Sequence, residues 1–144
     1  MNRRDLVLAT LASAEGRSFT PVQIQKAIFL ITRNVPGLID QGLPFDFSPY
    51  DYGPFDQSVY IEIEGLRRDG CAIVAPSGSG RWDTYAASDV GVAQGANLMS
   101  RLPPNISSYT RTITEWVRAQ SFRDLVKSIY EAYPEMKANS IFKG

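Results

Sequence analysis

The sequence predicts an α+β, mostly helical fold, and three observations within residues 45–86 support this. Four apolar residues are spaced four, four and three apart, as on one face of an amphipathic helix: Phe55, Val59, Ile63 and Leu66. Asp69-Gly70 ends that helix, because glycine adopts a left-handed conformation past a helix end without a Cβ penalty. Two short apolar runs, 71–74 and 81–86, flank the glycine-rich segment 76–80 and predict a hairpin. Helix, strand, glycine-rich turn and strand form the second half of a winged helix.

Two further helices precede this unit. Residues 3–14 predict the first, and residues 17–19 are an extended link that we expect to supply a short strand. The second helix has the clearest start in the chain. Thr20 is an N-cap, Pro21 occupies the first helical position, and Gln23 completes a capping box. Because this helix is apolar on nearly all sides, we expect it to be the buried central helix.

The segment 35–54 is rich in glycine, proline and aromatic residues and is too long for a simple helix-turn-helix connection. The alternation in Phe45-Asp46-Phe47 predicts a brief strand or an ordered loop laid across the core. Two roles remain open for it. The aromatic residues form a lid over the hydrophobic core, or they form a ligand-binding loop.

Helical patterns continue to the C-terminus, beginning at Ser88, at about residue 106 and at Ser121. The middle helix, 106–119, carries five residues that we expect on its buried face: Ile106, Tyr109, Ile113, Trp116 and Val117. The chain is therefore predicted to be a single domain of residues 1–144. It comprises a winged-helix core (3–87), a C-terminal extension (88–135) of two to three additional helices, and a tail (136–144).

Composition argues against catalysis. The 144 residues include no histidine and one cysteine, which excludes Ser-His-Asp and Cys-His pairs and any Cys/His zinc site. A divalent cation needs only oxygen ligands, but Glu62 and Glu64 diverge on a helix and cannot share a site with Asp51. We expect no catalytic residues, no metal and no cofactor.

The chain shows neither a signal peptide nor an apolar run long enough to span a membrane. Its single cysteine, Cys71, permits no disulfide within the chain, which is typical of a reducing compartment. We therefore expect a soluble cytoplasmic protein with no membrane partner. The 15 basic and 15 acidic residues give a net charge of zero, which mildly disfavours non-specific binding to nucleic acid.

Several short motifs resemble those of small bacterial YwgA-like proteins and, more distantly, the Panacea (SocA-like) antitoxin domain. They are Ile24-Gln25-Lys26, Tyr52-Gly53-Pro54 and the segments 65–70 and 85–91. The resemblance covers about residues 5 to 95. It implies a winged-helix fold and a protein partner, either a toxin or a defence component.

The first functional hypothesis is DNA binding by a transcriptional regulator, with the helix at 55–69 in the major groove and the hairpin along the phosphates. The candidate contacts are polar or basic residues of that helix, the hairpin and the N-terminus: Gln57, Tyr60, Arg67, Arg68, Arg81, Arg3 and Arg4. Asp56, Glu62 and Glu64 on the same segment would repel phosphates. The alternative is that Arg67 and Arg68 complement the helix dipole on a solvated face, and that Arg3 and Arg4 serve solubility.

The second hypothesis is an antitoxin-like or defence-associated protein-interaction module that does not bind DNA. Its candidate contacts are the aromatic residues of the 45–55 segment: Phe47, Tyr50, Tyr52 and Phe55. Aromatic side chains are favoured interface anchors. The C-terminal helices also offer a homodimer contact through Trp116 and Tyr130, although we expect Trp116 to pack on the chain's own core.

Overall fold

A computed structural model describes all 144 residues, with six helices and two separate two-stranded antiparallel sheets. The helices are α1 (Arg3–Ala12), α2 (Pro21–Asn34), α3 (Ser58–Arg68), α4 (Asp89–Ser100), α5 (Pro104–Ala119) and α6 (Phe122–Ala132). The strands are β1 (Ser48–Tyr50), β2 (Gly53–Phe55), β3 (Ala72–Pro76) and β4 (Asp83–Ala87). A 3-10 turn, Pro134–Lys137, follows α6. None of these helices combines the length and the hydrophobicity that crossing a bilayer requires.

The predicted helix starts at Thr20, Ser88 and Ser121 are confirmed. The Thr20 hydroxyl accepts a hydrogen bond from the Gln23 backbone N–H at 3.2 Å, and the Gln23 side chain accepts one from the Thr20 N–H at 2.9 Å. The hydroxyls of Ser88 and Ser121 each accept a hydrogen bond from a backbone N–H at 3.1 Å. Each cap satisfies a donor that the first helical turn leaves free.

Helix α2 lies between two apolar clusters, as predicted for a buried central helix. One face of α2, including Ile24 and Ile28, joins α1, α3 and the β3–β4 hairpin in a single cluster. The other face, including Phe29 and Leu30, packs with residues of α5 and α6. Because both faces are covered by apolar side chains, α2 connects the N-terminal and C-terminal parts of the fold.

The predicted hairpin is present as β3–β4, with Ala72 opposite Ala87 and Pro76 opposite Asp83. The short strand expected from residues 17–19 is reduced to a single bridge at Phe19. Phe19 exchanges two backbone hydrogen bonds with Tyr85, of 2.7 and 2.9 Å. Strand β3 starts one residue later than predicted, because the Cys71 N–H closes the end of α3 by donating to the Leu66 carbonyl at 2.8 Å. Strand β4 starts two residues later than predicted, and the carbonyl of Trp82 just before it accepts from the Ser77 N–H at 2.8 Å.

The predicted start of the third helix at Phe55 is wrong. Phe55 lies in β2, where it pairs with Ser48 of β1 in a tight hairpin. Helix α3 begins only at Ser58, whose N–H donates to the Asp56 carboxylate at 2.8 Å. The apolar spacing that seemed to include Phe55 therefore belongs to α3 only from Val59 onward.

For the segment Phe45–Phe47, a brief strand or an ordered loop was predicted. The segment forms no strand and is an ordered loop. Phe47 meets the edge of the Phe29 ring, with ring centroids 5.5 Å apart, and Phe45 lies 5.8 Å from Phe47. The Asp46 N–H donates to the Asp56 carboxylate at 2.6 Å. The loop thus covers the core between its two clusters.

Helix α4 packs closely along α1, and Gly95 is the point of closest approach. A Cβ at Gly95 would overlap Ala12 Cβ and would lie 3.0 Å from the Leu8 carbonyl oxygen. Glycine is therefore required here by the proximity of the two helices.

The predicted buried face of α5 is confirmed only in part: Val117 is buried, and Ile106 and Ile113 are half-buried against the core, but Trp116 is not. The buried residues are mostly small and hydroxyl-bearing: Ser107, Thr110, Thr114 and Val117. Thr110 satisfies its hydroxyl by donating to the Ile106 carbonyl at 3.0 Å, which allows it to pack as a small apolar residue. Trp116, expected in the core, has 38% of its surface exposed.

Candidate binding surfaces

The β1–β2 hairpin is fixed to α2 by Gln25. The Gln25 side-chain amide donates to the Asp56 carbonyl at 3.0 Å, and its carbonyl oxygen accepts from the Asp56 N–H at 3.0 Å. Gln25 is buried, so neither group has access to water as an alternative partner. This double hydrogen bond holds the segment between β2 and α3 in place against α2.

Lys26, the next residue, is 3% exposed, and its Nζ donates to the Pro54 carbonyl at 3.1 Å. Burial lowers the pKa of the Lys26 amine from 10.5 to about 7, because the ammonium form loses its hydration. The two short motifs Gln25-Lys26 and Gly53-Pro54 are therefore in direct contact, although 27 intervening residues separate Lys26 from Pro54.

Gly53 makes this contact possible. Its φ of 101° lies in the region that favours glycine. A Cβ at this position would lie 3.4 Å from Tyr130 Cε1 and 3.5 Å from Lys26 Cε. Glycine thus lets the hairpin approach both α2 and α6.

The four aromatic residues predicted to bind a partner divide between two places. Tyr50, Tyr52 and Phe55 line one cavity of about 190 Å³ beside Lys26. Tyr50 stacks on Phe55 with ring centroids 5.0 Å apart. Phe47 lies elsewhere, in a separate cavity of about 270 Å³ against Phe29.

A larger apolar groove of about 740 Å³ adjoins the first cavity, with which it shares Pro21, Val22 and Tyr52. We call it the aromatic groove. Its most exposed aromatic side chains are Tyr52 (37%), Trp82 (45%) and Phe122 (47%). The rings of Tyr52 and Phe122 pack edge to face, with their centroids 5.0 Å apart.

Sequence reasoning missed Trp82 and Phe122 as site residues. Trp82 ends the turn between β3 and β4, and Phe122 is the first residue of α6. Each is a large aromatic residue at the end of an element, where helical or strand periodicity does not demand burial. In the sequence, the signal for these two site residues was therefore a large aromatic side chain at the end of an element.

The arginines predicted to contact DNA from α3 are engaged by a carboxylate of the same helix. Arg67 donates twice to Glu64, at 2.9 and 2.6 Å, and Arg68 Nε lies 3.6 Å from Glu64. The pKa of the Glu64 carboxyl is lowered by its hydrogen bond to Arg67. All three side chains lie at the surface, so these ion pairs compete with water.

Arg3 and Arg4 do not form a free N-terminal arm. They lie in the first turn of α1, which Asn2 caps. Arg3 Nε donates to Glu62 at 2.9 Å, and Arg4 Nη1 lies 2.8 Å from the Asp69 carboxylate. The structure thus gives these arginines a role that the sequence did not suggest: they tie α1 to α3.

The remaining DNA-contact candidates lie in different environments. Gln57 is exposed just before α3, and Arg81 is exposed beside Trp82, where its guanidinium forms no ion pair. Tyr60 is half-buried, with its ring 5.6 Å from that of Tyr85. Burial, with a contribution from Tyr85, raises the pKa of Tyr60 to about 12. Tyr60 therefore faces the inside of the fold rather than the outer side of α3.

No group of three or more acidic or cysteine side chains lies close enough to hold a metal ion. The three acidic residues considered from the sequence are separate: Glu62 bonds to Arg3, Glu64 to Arg67, and Asp51 lies in the β1–β2 turn. No protein-family model matches the chain, and a search of curated proteins finds no significant match.

Proposed function

We propose that the protein is a non-catalytic interaction module that binds another protein through the aromatic groove. The observation that carries the proposal is the convergence of Tyr52, Trp82 and Phe122 on one apolar surface. All three side chains line the groove and are more than a third exposed, and the rings of Tyr52 and Phe122 are in direct contact. Contiguous exposed apolar patches of this kind mark interaction sites in proteins.

The groove also has the anatomy of an interface centre. Its lining combines the aliphatic side chains of Val22 and the buried Leu125 with the exposed aromatic rings. Tyrosine, tryptophan and phenylalanine are enriched at such centres because they bury a large area with few rotatable bonds. A partner segment that presents apolar side chains would remove this surface from water.

The charge arrangement on α3 favours a protein partner over DNA. Glu64 engages Arg67 and Arg68, and Glu62 engages Arg3. Binding phosphates with these arginines would require breaking the ion pairs and would leave the carboxylates facing a polyanion. In this proposal Arg3, Arg67 and Arg68 stabilise the fold and its surface.

The second candidate function is DNA binding, with this α+β fold acting as a winged helix. Two observations favour it. Helices α5 and α6 pack chiefly against α2, so the outer side of α3 stays exposed, and Arg81 of the adjacent hairpin has no ion pair. In this arrangement α3 would enter the major groove.

We place the module in the cytoplasm, because Cys71 is a buried free thiol without a disulfide partner in the chain. An antitoxin-like or defence-associated role fits a protein that acts by binding. A homodimer through the C-terminal helices is a further form of the same proposal, since Trp116 of α5 is exposed.

The test is affinity capture with wild type, the groove variant Phe122→Ser and the control variant Ile61→Ser. Ile61 is 57% exposed on α3, outside the groove. We expect a captured protein that wild type and Ile61→Ser retain and Phe122→Ser loses, and that binds again when both proteins are purified. Salt-sensitive binding to duplex DNA, lost in Arg67→Ala/Arg68→Ala but not in Phe122→Ser, would overturn the proposal in favour of the second candidate.

A further inference from the structure

The cavity beside Lys26 is distinct from the aromatic groove, although the two adjoin. It has a volume of about 190 Å³. Its walls are largely aromatic, formed by Tyr50, Tyr52, Phe55 and Tyr60. Lys26 is the one basic residue among its lining residues.

Lys26 lacks a counter-ion. No carboxylate lies within 4.0 Å of its Nζ, and its one hydrogen bond goes to the Pro54 carbonyl. An ammonium group has three donors, so two of them stay unused. Because a buried ammonium without a counter-ion is costly, Lys26 holds its proton weakly, and an anion beside Nζ would stabilise the charged form.

The groups around Lys26 do not supply the missing charge. Asp51 of the β1–β2 turn lines the same cavity but is outside ion-pair distance. The Asp56 carboxylate is engaged by the backbone N–H groups of Asp46 and Ser58. The other titratable groups facing this region are phenols: those of Tyr50 and Tyr52 in the β1–β2 hairpin, Tyr60 of α3 and Tyr130 of α6.

We propose that this cavity binds a small carboxylic acid, with the carboxylate on Lys26 and the apolar body against the tyrosine and phenylalanine rings. One lysine neutralises one negative charge, which matches a carboxylate better than a phosphate dianion. The cavity size and the aromatic walls select a ligand of about one ring. The same chemistry occurs in a free acid and in the C-terminal carboxylate of a peptide.

Binding is coupled to protonation of Lys26. The amine titrates near pH 7 in the empty cavity, and a bound carboxylate favours its ammonium form. The carboxyl group of the ligand stays ionised throughout the neutral and alkaline range. The affinity for the carboxylate therefore falls as the pH rises above about 7. Well above that pH the loss approaches roughly tenfold per pH unit.

The experiment is an NMR titration of the full chain with benzoate and with benzamide, its neutral analogue, at pH 6.5 and pH 8.5. We expect saturable shifts at the cavity residues with benzoate, at least tenfold weaker binding of benzamide, and at least tenfold weaker binding of benzoate at the higher pH. Lys26→Met should abolish the preference for benzoate, and Lys127→Met, which changes an exposed lysine of α6, should keep it.

If Lys26→Met does not fold, the titrations of the wild-type protein alone test the proposal. Equal binding of benzoate and benzamide, or benzoate binding that does not change between the two pH values, overturns the proposal. So does the absence of saturable shifts for both benzoate and N-acetylphenylalanine. Tighter binding of N-acetylphenylalanine than of benzoate assigns the site to a chain terminus, and the reverse order assigns it to a free acid; both support the carboxylate site.

Discussion

Gln25 and Asp56 exchange two hydrogen bonds of 3.0 Å, in which a buried side-chain amide pairs with both backbone groups of one residue. The Gln25 amide thereby acts as an additional backbone partner for the segment between β2 and α3. The position of α3 relative to α2 depends on this pairing and on the adjacent bond from Lys26 to Pro54.

Replacing Gln25 with alanine should destabilise the protein by about 2–3 kcal/mol, because the N–H and C=O groups of Asp56 lose their partners. The free energy of unfolding from urea denaturation measures the effect. Gln57→Ala is the matched control. Gln57 is exposed and makes no capping hydrogen bond, so its removal should change stability by less than about 0.5 kcal/mol. Equal effects of the two substitutions would contradict the role assigned to Gln25.

Lys26 should make stability depend on pH in the alkaline range. Its pKa is about 7 in the folded protein and 10.5 ordinarily, so the unfolded chain binds more protons between these values. The free energy of unfolding therefore rises with pH above about 7, by at most about 1.4 kcal/mol per pH unit. Below the folded pKa both states are protonated and this contribution is constant.

Urea denaturation between pH 7 and pH 9 tests this dependence on Lys26. Lys26→Met should remove most of the rise, and Lys127→Met should preserve it because Lys127 is exposed. A wild-type profile that parallels that of Lys26→Met would show that the amine is not buried as described.

Gly95→Ala should destabilise the protein by about 1–3 kcal/mol, since the added methyl group overlaps Ala12 Cβ and forces α1 and α4 apart. Gly65→Ala is the control within another helix. Its Cβ would have only an ordinary contact, 3.9 Å from Arg4 Nη1, and alanine favours helix by up to about 1 kcal/mol. Thermal unfolding of both variants should shift in opposite directions. A stabilised Gly95→Ala would contradict the close approach of α1 and α4.

The coupling between Arg3 and Glu62 should persist in high salt, and that between Arg67 and Glu64 should not. The Arg3–Glu62 side chains are only about one-fifth exposed, so their 2.9 Å contact is partly shielded from water. A double-mutant cycle on unfolding free energies should give about 0.5–1 kcal/mol for this pair. The Arg67–Glu64 pair is at the surface, and its coupling should disappear in high salt. A coupling energy for Arg67–Glu64 that exceeds that for Arg3–Glu62 and does not change with salt would contradict this prediction.

Local signals in the sequence predicted much of the fold. The capping box at Thr20 and the serine caps of α4 and α6 were readable because a cap is a contact between near neighbours in sequence. The full buried face of α5 was not readable, because three of its four buried residues are serine or threonine, which carry no apolar signal in the sequence. The β1–β2 hairpin was hidden by Phe55, whose spacing matched that of the following helix.

The candidate sites were predicted less well, since they depend on distant residues. Tyr52 was identified as a partner contact from its aromatic character. Its neighbours in the groove, Trp82 and Phe122, lie 30 and 70 residues further along the chain. The ion pairs that engage Arg3 and Arg4 likewise join α1 to α3 and leave no signal in sequence spacing.

The measurement that tests the central claim most directly is the binding isotherm of a purified, captured partner with wild type, Phe122→Ser and Ile61→Ser. If the aromatic groove binds the partner, Phe122→Ser should weaken binding at least tenfold, which is about 1.4 kcal/mol, and Ile61→Ser should leave it unchanged. Unchanged affinity in Phe122→Ser would contradict the account, and a loss confined to Ile61→Ser would place the binding surface on α3 instead.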